Sequence, residues 1–113
     1  MHLISITQRV HHENDPHCGV WEYPSAGTPS DAAVAEIHGR YPEQGFAMNE
    51  VSHELAYVMR GHGTLETQEA ARDIQEGDVI HLFAGEQFAW NGELTLFLSC
   101  TPSFDPNRYK HMT

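Results

Sequence analysis

The glycines in the second half of the chain constrain its fold more than any other feature. Gly39, Gly45, Gly61, Gly63, Gly77, Gly85 and Gly92 cut it into short segments. Apart from the close Gly61–Gly63 pair, the intervals run from 6 to 16 residues, on either side of the about 8–12 that separate turns in a small all-β barrel or sandwich. Strands are predicted over residues 46–49, 54–59, 64–68, 79–83 and 94–100, with a shorter one over 88–90. Asn91 and Gly92 form the strongest hairpin signal, because a type I′ turn needs positive φ at both central positions. Gly61 and Gly63 read as a similar corner, and residues 69–72 as a single turn of helix.

Ahead of Gly39 the pattern is looser. A strand is expected over residues 3–10, a loop over the polar stretch 11–19, a surface connection over the Ser-, Gly- and Pro-rich stretch 24–31, and a strand over 32–37. The chain of 113 residues suits one apolar core, so one domain is expected. Sixteen acidic residues against six basic ones give a formal charge of −10, which repels nucleic-acid backbones and anionic lipid surfaces. Nine histidines mean that protonation near about pH 6 removes much of that charge. No apolar run approaches membrane-spanning length, and the first residues lack the basic and apolar regions of a signal peptide. Cys18 and Cys100 form no metal-binding or disulfide pattern and read as reduced thiols. A cytoplasmic protein is the expectation.

Two spaced motifs narrow the fold class. The run from Glu54 to Gly61 matches E-x(6)-G, and the run from Gly77 to Gly85 resembles G-x(5)-P-x-G with Phe83 at the usual proline. Together they resemble the two motifs of the cupin superfamily, in its small single-domain form. The resemblance implies an all-β fold, an antiparallel double-stranded β-helix or jelly-roll barrel. It implies a barrel core over about residues 39–102, an N-terminal strand and arm over 1–38, and a C-terminal arm over 103–113. In such motifs the glutamate faces inward and Gly61 turns the hairpin.

Metal-binding cupins carry H-x-H shortly before the motif glutamate and a further histidine after the second motif. Here the paired positions fall on Met48 and Glu50, or on Ala47 and Asn49, and the third falls on Phe88, whose ring offers no lone pair. Only Glu54 remains of the ligand set, with Asn49 as a weak oxygen donor, so no cofactor is predicted with confidence; a divalent transition metal remains the alternative. His53 alternates with Glu54 and His81 with Ile80 and Leu82, which turns both histidines outward, towards solvent or a subunit contact. His11, His12, His17 and Cys18 are all suited to zinc, but their spacing matches no regular site and reads as a solvated loop.

Burial of Glu54 in a barrel would raise its pKa and make it a candidate general acid or base; the plainer alternative is an anchor in a buried polar network. Asn49 and Glu54 are the candidate polar ligand contacts. Phe88 and Trp90, on alternate positions of one strand, are the candidate aromatic wall, or simply core. Tyr57 and Met59 share the opposite face and suit packing between sheets or subunits. The segment from Thr101 to Tyr109 reads as an extended arm that either closes the barrel or clasps a neighbour.

The leading expectation is a homodimer whose barrel binds a small organic ligand, carbohydrate-derived compounds included, without an orthodox metal site. One alternative is an atypical metal-dependent isomerase, lyase or oxygenase built on Glu54 with Asn49, His53 or an arm residue. Another is a sensing or protein-interaction module. Whether the protein is an enzyme stays open on the sequence.

Overall fold

The computed structural model describes residues 1–113. Nine strands run in chain order: β1 (Val10–Asp15), β2 (Cys18–Tyr23), β3 (Ala32–Tyr41), β4 (Phe46–Asn49), β5 (His53–Glu66), β6 (Ala71–Gln75), β7 (Val79–Leu82), β8 (Gln87–Thr101) and β9 (Tyr109–Met112). All pairings are antiparallel, as predicted for the double-stranded β-helix. The sheet runs β1-β2-β3-β8-β4-β9, and β5 pairs with β6, β7 and β8.

Strands β5 and β8 are the long, bent spine. The first half of β5 sits between β7 and the second half of β8, and its second half sits between β6 and the first half of β8. The partner change follows a register shift between Val58 and Arg60, which bends the strand. Period-two alternation then sorts the side chains. Ala56 and Val58 of β5, Leu94 and Leu96 of β8, Ala35 and Ile37 of β3 and Val20 of β2 point inward and are buried. Leu55, Tyr57 and Met59 of β5 and Val79 and Phe83 at β7 are exposed on the outside.

Several sequence expectations are corrected. Asn91 and Gly92 make no hairpin: they lie inside β8, paired with Thr64 and Gly63 on one side and with Arg40 and Gly39 on the other. A Cβ on Gly92 would come within 2.6 Å of the Gly63 Cα and the His62 carbonyl oxygen, so the glycine serves close backbone approach rather than a turn. Likewise the predicted 54–59 and 64–68 strands are one strand, with Gly61 at φ +92° beyond the bulge. The β5–β6 hairpin turn falls later, over residues 67–70, and Gly77, in the connection from β6 to β7, donates its amide to the Val58 carbonyl.

Residues 69–72 are not helical. The Thr67 hydroxyl accepts from the amides of Glu69 and Ala70, closing a turn into β6, which the sequence reading missed. At the N-terminus, Ser5 and Gln8 form a reciprocal capping box around a short 3₁₀ turn, Ile6–Gln8, where a strand was expected. Residues 11–19 are mostly strand, not loop. Strand β1 is an edge strand with almost every side chain exposed, so it lacks the apolar alternation by which strands are read. Cross-strand pairs hold it: His11 stacks on Trp21 with ring centroids 4.5 Å apart, and His12 lies 3.6 Å from the Glu22 carboxylate. Residues 10–41, expected partly as an arm, thus supply three strands of the sheet.

Candidate functional site

The concave side of the sheet encloses a cavity of about 780 Å³. Glu54 of β5 lines it, with Cys18, Val20, Ile37, Tyr41, Phe88, Trp90, Leu98, Cys100 and Tyr109 among the other walls. The Glu54 side chain reaches inward because Glu54, Ala56 and Val58 share the buried parity of β5. Cys100 faces it across the β5–β8 ladder.

The Glu54 carboxyl is 7% exposed and only half satisfied. Its Oε1 accepts from the Asn49 side-chain amide at 3.4 Å and from the Cys100 thiol at 3.7 Å, both long contacts. Its Oε2 is buried with no partner. Burial pushes the Glu54 carboxyl up to about 7, against a partial opposing pull from Asn49 and Cys100. A carboxyl so placed exchanges its proton near neutral pH. Asn49 is held for its contact by its own backbone, whose carbonyl accepts from the Gly85 amide at 2.8 Å. The second glycine-rich segment therefore positions the first motif's carboxyl through β4.

Phe88 and Trp90 are buried side by side, with ring centroids 6.0 Å apart, and both line the cavity. Opposite chain segments supply two tyrosines: Tyr41 ends β3, and Tyr109 opens β9. Their hydroxyls are 2.8 Å apart, and the Tyr41 hydroxyl also lies 3.3 Å from His111 Nε2. Burial pushes Tyr41 up to about 12 and raises Tyr109 as well, so both remain neutral hydroxyl groups.

The mouth is framed by two segments tied together by Asp31. Its Oδ1 accepts from the Cys100 amide at 2.7 Å and its Oδ2 from the Phe104 amide at 2.6 Å. The Ser103 hydroxyl donates to the Thr28 carbonyl at 3.2 Å. The C-terminal arm therefore folds onto its own barrel, where β9 pairs with β4. Phe104 and Tyr109 pack edge to face, 5.3 Å apart, at the cavity wall.

The curled antiparallel sheet, with an inward glutamate from the first motif at its centre, matches solved barrels along nearly its whole length. It has the cupin fold. A cupin 2 conserved barrel domain protein from Rhodopseudomonas palustris is similar over 93% of this chain and 77% of that one, at 13% identity and a TM-score of 0.70. A variant of Streptomyces Pac13 with uridine is similar over 99% of this chain and 90% of that one, at 14% identity and a TM-score of 0.86; Pac13 is described as a nucleoside dehydratase. Ectoine synthase from P. lautus is similar over 100% of this chain and 91% of that one, at 12% identity and a TM-score of 0.74. No protein-family model and no curated protein sequence matches the chain.

No group of three or more His, Cys, Asp or Glu side chains in this cupin barrel is arranged to hold a metal ion. Beside Glu54 stand an amide nitrogen and a single thiol that burial raises well above its ordinary range. His53 is exposed and accepts from the Ala84 amide at 3.0 Å, outside the barrel. His17 is turned to the His38 carbonyl at 2.9 Å, and His11 to Glu13, so the N-terminal histidines are engaged separately.

The sequence reading missed Tyr41, Cys100 and Asp31 as parts of the site. Extending the period-two pattern would have found the first two. Tyr41 shares the parity of Ala35 and Ile37 beyond Gly39, and Cys100 that of Leu94, Leu96 and Leu98. Nothing local marks Asp31.

Proposed function

We propose that this protein, a single cupin domain over residues 1–113, binds a small organic molecule in its barrel and transfers a proton on it through Glu54. The carrying observation is the unpartnered Glu54 Oε2, buried in a cavity of about 780 Å³. A buried acceptor without a partner is costly unless a ligand or water completes it. A carboxyl with a pKa about 7 is matched to general acid–base work at neutral pH. Asn49 holds Glu54, Phe88 and Trp90 offer flat apolar surface for a ring, and the Tyr41 and Tyr109 hydroxyls offer polar contacts. This supports isomerisation or elimination on a small ring compound, carbohydrate-derived compounds included, and the likeness to a nucleoside dehydratase points the same way.

The test is incubation with nucleosides, free sugars, amino sugars and sugar lactones in D₂O, followed by NMR. At least one compound should take up solvent deuterium or lose water, and Glu54→Gln should slow this by about 100-fold or more. Compounds that bind without exchange would reduce the protein to a binding module and remove the catalytic role of Glu54.

A homodimer belongs to the same proposal. Leu55, Tyr57, Met59, Val79, His81 and Phe83 form an outer face on β5 and β7 without a carboxylate, on a chain of net charge −10. A second copy can approach there without the repulsion it meets elsewhere. The open cavity counts against a purely protein-interaction role. The free thiols of Cys18 and Cys100 suit a cytoplasmic setting, and no helix is long and apolar enough to cross a membrane.

A further inference from the structure

The charge of the cavity is one-sided. Glu13, Glu22, Asp31 and Glu54 line it beside one histidine, His12, which lies 3.6 Å from the Glu22 carboxylate, and no lysine or arginine does. The six basic residues of the chain, Arg9, Arg40, Arg60, Arg72, Arg108 and Lys110, all lie elsewhere. Arg9 sits over Trp21, Arg40 pairs with Glu66 at 3.1 Å, and Arg108 and Lys110 reach Glu50 at 3.5 and 3.7 Å. A carboxylate or phosphate entering the cavity therefore meets four carboxyl groups and no lysine or arginine, in a space where low polarity strengthens the repulsion.

The buried end of the cavity asks for the opposite sign. Glu54 is more than nine-tenths buried, and its Oε2 has no hydrogen-bond donor. Asp31 is already engaged, since each of its carboxylate oxygens accepts a backbone amide. The surrounding aromatic faces, among them Tyr41, Phe88, Trp90 and Tyr109, attract cations through their quadrupoles.

We propose that the cavity selects organic cations, with an ammonium or similar cationic N–H group donating to Glu54 Oε2 and an apolar body against the aromatic walls. This rests on the reading that the barrel binds a small organic molecule, and it names the charge class of that molecule. It extends to amines that are neutral elsewhere in the molecule and excludes sugar acids and nucleotides.

The two tryptophans provide the assay. Trp90 lines the cavity, whereas Trp21 lies on the outer face under His11. Benzylammonium, benzyl alcohol and benzoate, alike in shape and different in charge, are titrated into the unmodified protein at pH 7.5 and constant ionic strength. The indole N–H signals of both tryptophans are followed by NMR. Benzylammonium should shift Trp90 saturably and leave Trp21 in place, with a Kd at least about tenfold below that of benzoate and severalfold below that of the alcohol. Glu54→Gln, which keeps shape and removes charge, should abolish the preference for the cation. Equal or tighter binding of benzoate or the alcohol at Trp90 overturns the charge selection while leaving the cavity reading intact. If no probe moves Trp90, both readings fall.

Discussion

Asn49 donates its side-chain amide to one oxygen of Glu54 at 3.4 Å and leaves the other oxygen buried without a partner. Burial, only partly offset by Asn49 and Cys100, makes the carboxyl costly to ionise, and the cost is measurable as a pH dependence of stability. Glu54 is raised from 4.5 to about 7 in the folded chain. Below about pH 4.5 both states hold the proton and there is no penalty. As pH rises from 4.5 to 7 the unfolded chain releases its proton while the folded chain keeps it, so stability falls; above about 7 the penalty is constant. Its size is on the order of 3 kcal/mol. Urea unfolding of Glu54→Gln against the unmodified protein should show the variant gaining stability steadily from pH 4.5 to 7, by up to that amount. A difference that does not vary with pH would contradict the raised carboxyl.

Burial governs the thiols as well. Cys18 is 3% exposed and pushed up to about 12, chiefly by burial, and Cys100 is 4% exposed and raised for the same reason. Thiolate is the reactive form, so both should react with a thiol reagent at least about 100-fold more slowly in the folded protein than in urea. Labelling rates followed by mass spectrometry decide this. One fast thiol in the folded state would refute it.

Gly92 and Gly63 face each other across the β5–β8 ladder, beyond the bulge that bends β5. Gly92→Ala places a Cβ against backbone at 2.6 Å and φ +139°, where no flexible side chain can give way. The expected loss is about 2–4 kcal/mol, read as a drop in the urea midpoint. A near-neutral substitution would show that the two backbones do not approach so closely.

Tyr41 holds two partners, the Tyr109 hydroxyl and His111, whereas Tyr109 holds one hydroxyl partner. Tyr41→Phe should therefore cost more than Tyr109→Phe, with each in the range of about 0.5–2 kcal/mol, and the double variant should lose less than the sum. A double-mutant cycle in denaturant measures the coupling; strict additivity would mean that the hydroxyls do not interact.

The outer face of β5 and β7 exposes Val79 at 56%, Phe83 at 58% and Tyr57 at 43%. Light scattering on the purified protein should give twice the 12.7 kDa chain mass, and Tyr57→Lys with Val79→Lys should return the single-chain mass without changing the circular dichroism spectrum. A monomeric unmodified protein would remove the dimer from the proposed function.

The sequence by itself determined the all-β class and, once the cupin resemblance implied a barrel with Glu54 inward, the outward direction of His53, Tyr57 and Met59. These depend on local rules: glycine spacing, and the alternation of side chains along an extended chain. It also showed the loss of the histidine ligands, since residue identity suffices for that. Tertiary structure alone decided where the glycines act. Asn91 and Gly92 have the local signature of a hairpin, but ladder pairing with β3 on one side and β5 on the other keeps them within one strand. It also made β1 from a polar run, because an exposed edge strand needs only a partner and no apolar face. The site followed the same division: Glu54, Asn49, Phe88 and Trp90 could be named from their own segments. Their joining with Tyr41, Cys100, Tyr109 and Asp31 depends on contacts between residues as much as 75 positions apart, which no local pattern encodes.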